Sequence, residues 1–142
     1  MSSKILVVDD ERSILEFFDI FLTQQGYQVE SLEDPKAVYD KVKKSHFDLV
    51  LTDLSMPGAD GLEVLERVKA ASPETVVIIM TAYATAESAI EAMRNGAYDY
   101  VMKPFKVDDV KHTIENALEK VALRRENRAL REKLGNPGKG LE

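Results

Sequence analysis

The sequence predicts a doubly wound α/β domain built on a five-stranded parallel sheet. Three observations predict it. Short β-type runs alternate with amphipathic helical stretches along the chain, the order expected of successive β–α units. The runs "ILVV", "LVLT" and "VVIIM" are apolar throughout, as strands are when helices cover both faces of a sheet. Glycine and proline stand where the helical stretches begin or end.

The strands read as 5–8, 27–31, 48–52, 76–80 and 98–102. The first helix carries Ile14, Phe17, Phe18, Phe21 and Leu22 on one stripe and ends near Gly26, a residue suited to a helix C-terminus. The second starts at Pro35, which fits a first helical turn. The third follows Gly61 and stops before Ser72-Pro73, and the fourth spans 86–95 and closes on Gly96. Nothing breaks the fifth from Val107 to Leu134. That is about 28 residues, or ~42 Å at 1.5 Å per residue. A domain of this size cannot cover so long a helix, so its second half is expected to project. The organisation expected is thus a domain over 1–120, a projecting helix over 121–134 and a disordered tail over 135–142. That tail, "GNPGKGLE", ends in a Leu-Glu that reads as a cloning remnant.

The 142 residues suffice for one compact domain with a short appendage, and 44% apolar content allows a real core. Nineteen basic against 25 acidic residues leave a net charge of −6, which argues against nucleic acid binding by this segment. There is no cysteine, so disulfides and thiolate metal sites are excluded. Neither a secretory signal nor an apolar run of the ~20 residues that span a bilayer is present, and the expectation is a soluble cytoplasmic protein that binds no membrane.

"LVVDDE" then poses a question, because Asp9, Asp10 and Glu11 crowd the end of a buried strand. Ligands of parallel open sheets bind beyond the carboxyl ends of the strands. Strand one delivers Asp9 and Asp10 there, strand three Asp53, strand four Thr81, and strand five is followed by Lys103 and Pro104. Converging carboxylates suit a hard divalent cation such as Mg²⁺. The same cation favours phosphoryl transfer, and a carboxylate can itself be the nucleophile. Asp53 is the candidate, alone on the central strand, with Lys103 and Thr81 placed to meet phosphoryl oxygens.

Four segments in order, "LVVDDE", "DLVLTDLSMPGADG", "VVIIMTAYA" and "DYVMKPF", resemble the receiver domain of bacterial two-component response regulators over residues 4 to about 120. The resemblance implies a flavodoxin-like sheet of order 2-1-3-4-5 with an extended C-terminal helix. It implies phosphorylation of Asp53 by a sensor histidine kinase. It also implies Mg²⁺ held by Asp10, Asp53, the Ser55 carbonyl and Asp9 through water. Lys103-Pro104 resembles the family's cis peptide. Thr81 and Tyr100 match its switch pair, Ala82 a small position facing the phosphoryl donor, and Ser55 and Tyr83 positions that tune hydrolysis. Self-phosphorylation and self-dephosphorylation are the only catalysis implied. The long last helix resembles the linker of sigma-54-dependent transcription activators of the nitrogen-regulator type, in which an ATPase domain and a DNA-binding domain follow.

Plainer readings stand beside these. Asp9 or Asp10 could cap the first helix, Asp53 could simply open a loop, and Thr81 and Tyr100 could be strand packing. His46 and His112 read as isolated surface residues, and the methionines as core filler. An aspartate-based phosphatase would present two acids spaced by one residue after the first strand, whereas here they are adjacent. A flavin or nucleotide binder would need glycines where Asp-Asp-Glu stands. A degenerate receiver serving only to dimerise would not need the full acid–Thr–Lys set.

The last helix is expected to carry a dimer seam, the plainer alternative being a solvated, charged helix that frays. Leu123, Asn127, Leu130 and Leu134 have coiled-coil spacing, with Asn127 at an a position. Glu119 with Arg124 and Glu126 with Arg131 would then pair across two parallel chains. Upstream, Val110, Ile114, Ala117 and Val121 form a second stripe, expected to pack on the domain and to share or hand over to the homodimer contact.

Overall fold

The computed structural model describes residues 3–53, 55–56, 59–82 and 86–133. Five strands, β1 (Lys4–Val8), β2 (Gln28–Leu32), β3 (Leu49–Asp53), β4 (Val76–Thr81) and β5 (Asp99–Met102), form one sheet in the order β2-β1-β3-β4-β5. Every pairing in it is parallel. The helices are α1 (Arg12–Gln24), α2 (Val38–Lys44), α3 (Gly61–Ala71), α4 (Ala86–Arg94) and α5 (Val107–Lys133). The fold is the doubly wound one expected, with the expected strand order.

The three wholly apolar runs became the three inner strands. β1 is buried from its second residue, and β3 and β4 along their whole lengths. Alternate residues serve the two faces. Ile5, Val7, Leu49, Leu51, Ile78 and Met80 join Leu15, Phe18 and Leu22 of α1 and the buried stripe of α5. Leu6, Val8, Val50, Val77 and Ile79 join Val38, Val42, Val64, Leu65 and Val68 beneath α2 and α3, with Ala92 of α4.

Boundaries shift by a residue. Tyr27 closes α1, its amide donating to the Leu22 carbonyl at 3.1 Å, so β2 starts one residue later than predicted. Asp53 is the last residue of β3 and not the first after it. Pro35 opens a 3₁₀ turn, Pro35–Ala37, capped by the Asp34 side chain, and α2 follows from Val38. A two-residue antiparallel pair after β3, Ser55–Met56 with Ala59–Asp60, was not anticipated. Gly26 and Gly96 end α1 and α4 with φ of 94° and 103°, where a side chain would be strained.

Val110, Ile114, Ala117 and Val121 are buried in the domain's own core and pack on α1 and the sheet, as expected, with little surface left to share with a homodimer contact. Two other expectations need correction. Of the methionines, Met80 is core, but Met93 on α4 and Met102 on the edge strand β5 are about half exposed. His46 is exposed yet not isolated, since its Nε2 lies 2.9 Å from Arg125 Nη2 and 3.4 Å from Asp48 Oδ1. His112 is exposed, as expected. Residues 122–133 are all exposed, but Arg125 and Arg128 tie this stretch back to the domain through Asp48 and Glu74. Leu134 and the tail lie outside the described residues, and no described helix is long and apolar enough to cross a membrane.

Candidate functional site

Parallel register brings the strand ends together. Val8 stands beside Thr52, Asp53 beside Met80, and Thr81 beside Met102. The residues at or just past these positions are Asp9, Asp10, Asp53, Thr81 and Lys103. One carboxylate oxygen from each of Asp9, Asp10 and Asp53 lies within 4.8 Å of the others. Asp9 is fully buried, Asp53 is 7% exposed, and Asp10 faces solvent.

Lys103 reaches into this group. Its Nζ is 3.1 Å from Asp9 Oδ2, 3.0 Å from Asp53 Oδ2 and 3.6 Å from Glu11 Oε1. Asp9 Oδ1 also accepts the Glu11 amide at 2.9 Å, so the capping role considered for Asp9 coexists with its place in the cluster. Burial pushes the Asp9 carboxyl up. The Glu11 amide and the Lys103 ammonium pull it down, nearby Asp53 pushes it further up, and the net result is a raised pKa. For Lys103, burial pushes the ammonium down, but hydrogen bonds and charge from Asp53 and Asp9 outweigh it and the net shift is upward. The same contact thus satisfies the lysine, which has two carboxylates, and leaves Asp9 under-compensated.

The lysine is placed by backbone and by packing. The Lys103 amide donates to the Thr81 carbonyl at 2.7 Å, tying the loop after β5 to the end of β4. The Lys103–Pro104 peptide is cis. Phe105 then packs on Phe18 and Phe17 of α1, with ring centroids 5.4 and 6.1 Å apart. Thr81 is buried, Ala82 beside it is exposed, and Tyr100 is half-buried against the cluster under α2, α3 and α4. Ser55 stands two residues past Asp53, paired with Asp60. Tyr83 lies outside the described residues. Sequence reasoning assigned no separate role to Glu11 and none to the Phe105 anchor. Glu11 could have been found from its place beside the acid pair; the ring cluster had no local signal.

Comparison with known proteins agrees with this geometry. Residues 5–115 match the model of the response regulator receiver domain. The chain is 35% identical over 132 residues to the regulatory protein AtoC of Escherichia coli K12, covering 93% of this chain but 29% of that protein. The chain therefore spans less than a third of the length of this relative. Among solved structures, a CheY-like receiver domain protein from Methanospirillum hungatei JF-1 superposes with a TM-score of 0.84 at 30% identity, covering 87% of this chain and 99% of that one. The beryllofluoride-activated NtrC4 receiver domain dimer gives 0.79 at 33% identity, covering 83% and 98%. A match that takes in all five strands and the whole acidic rim makes this chain a member of the response regulator receiver domain family.

Proposed function

We propose that this domain is a phosphorylation-dependent switch in which Asp53 accepts a phosphoryl group from a phosphohistidine of a sensor histidine kinase in the cytoplasm. The observation that carries this is the meeting of Asp9, Asp10 and Asp53 at the end of the central strands, with the Lys103 ammonium on Asp9 and Asp53. An Asp53 carboxylate oxygen forms the new bond to phosphorus, the P–N bond breaks, and its electron pair stays on the imidazole. Three carboxylates against one ammonium leave net negative charge in a largely buried site, which fits Mg²⁺. Asp9, Asp10, Asp53 and the Ser55 carbonyl would hold the ion, whose bound charge offsets that of the transferred group.

Lys103 already touches Asp53 and is placed to pair with a phosphoryl oxygen, and Thr81 supplies a hydroxyl from the next strand. Ala82 leaves the approach open to the donor. Movement of Thr81 toward the phosphoryl group, with Tyr100 turning inward, would carry the signal to α4, β5 and α5. Exposed Ile90, Met93, Met102 and Val107 lie on those elements and support their use as a contact face. The output is a changed homodimer geometry, joined along Leu123, Asn127, Leu130 and Leu134. Leu123 and Leu130, 53% and 49% exposed, support this seam. In a longer protein the dimer would control an ATPase and a DNA-binding domain of a sigma-54-dependent activator, in keeping with the small share of AtoC that this chain spans.

Acetyl phosphate with Mg²⁺ should label the chain at Asp53. Label absent from Asp53→Asn and from metal-free reactions is the expected result; label that persists in Asp53→Asn would overturn the assignment.

A further inference from the structure

The polar contacts along the second half of α5 are not used by the phosphoryl chemistry. Asp48 immediately precedes β3, at the opposite end of that strand from Asp53. It is 5% exposed, and its Oδ2 accepts the Lys4 amide at 2.8 Å, which fixes the carboxylate against the start of β1. Its Oδ1 is paired with Arg125 of α5. The same guanidinium nitrogen lies 2.9 Å from His46 Nε2, which must accept there because a guanidinium only donates. Three residues on, Arg128 pairs with Glu74, two residues before β4.

These arginines continue a face already in use. Val110, Ile114, Ala117 and Val121 bury the first part of α5, and Arg125 and Arg128 follow Val121 at i+4 and i+7. At about 100° per residue, the stripe of Leu123, Asn127 and Leu130 lies ~200° around the helix from Val121. The helix therefore presents one face to the domain and the opposite face to solvent.

We propose that Asp48–Arg125, backed by Glu74–Arg128, is a latch that extends the attachment of α5 to the receiver beyond the apolar core. Most exposed ion pairs contribute little because both partners must be ordered. Here the Asp48 carboxylate is already fixed by a backbone amide and shielded from water, so only the arginine is ordered. The latch makes α5 leave the domain in one direction, from the end of the sheet opposite Asp53. On the reading that the chain forms the proposed homodimer, each receiver sits on the outside of the paired helices, and a tilt of α5 on the sheet is passed to the seam.

The test separates the latch from the dimer. In the Leu123→Glu/Leu130→Glu background the seam is removed, and amide hydrogen exchange over 122–133, read residue by residue, reports only attachment to the domain. Arg125→Ala should speed that exchange about fivefold or more while leaving 107–120 unchanged. Asp48→Asn, which keeps an oxygen for the Lys4 amide, should do the same. The double variant should be no faster than either single one, because both remove one contact. Unchanged exchange in the single variants, or effects that simply multiply in the double, would overturn the latch. Dimerisation of the chain with its seam intact, measured separately by sedimentation, bears only on the dimer.

Discussion

Asp9 is fully buried, accepts hydrogen bonds from the Glu11 amide and the Lys103 ammonium, and still holds its proton more tightly than a free carboxyl. A side chain in that position weakens the fold for the sake of its site. Asp9→Asn keeps an oxygen for the Glu11 amide and removes the buried charge. The metal-free variant is expected to be more stable by about 1 kcal/mol, and any stabilisation that the proposed Mg²⁺ site gives the parent is expected to shrink. Thermal melts with and without the ion check both. Asp9, Asp53, Thr81 and Lys103 were legible in the sequence because parallel strands carry their chemistry at one end. Asp48 was not, because its partners Lys4 and Arg125 are 44 and 77 residues away and no local pattern links them.

The elements follow from apolar periodicity. Inner strands read as unbroken apolar runs, and helices as stripes whose ends glycine or proline marks. Ile114 shows how strongly α5 depends on its stripe: it is 1% exposed within the cluster shared with α1 and the sheet. Ile114→Ala should cost about 2–4 kcal/mol in urea denaturation, since the cavity cannot fully close. The edge strand β2 is held differently. Hydrogen bonds from Lys41 and Lys4 keep the Glu30 carboxyl below its ordinary 4.5. That contribution is present above the unfolded value and is lost as pH falls through the lower folded one. Glu30 is a third exposed, so the effect is under about 1 kcal/mol after solvent screening. Comparing wild-type and Glu30→Gln melts across the acid range should show a shallower loss in the variant. The 3₁₀ turn at Pro35 and the antiparallel pair after β3 escaped sequence reading, because segments this short carry no period.

For the whole molecule, α5 decides what a second copy can touch. The stripe through Val121 is spent on the domain, and the leucines on the opposite face remain exposed. Leu130→Glu should change monomer stability by less than about 0.5 kcal/mol, as surface substitutions do. Analytical ultracentrifugation should nevertheless find the dimer lost, because the proposed seam has few apolar residues to spare. A stable dimer in the variant would place the contact elsewhere, with Ile90, Met93 and Met102 the next surface to vary.

The order of strands and helices, the two-sided core and the family of the site can be argued from residue order, because each depends on patterns repeated over a few neighbours. Residue order also points Val110, Ile114, Ala117 and Val121 at the domain, and their burial against α1 and the sheet agrees. How much of that stripe is left to share with a second copy could not be read from spacing, and folding decides it by burying all four. The hold of Asp48 and Glu74 on Arg125 and Arg128 likewise appears only after folding, when loops distant in sequence meet one helix.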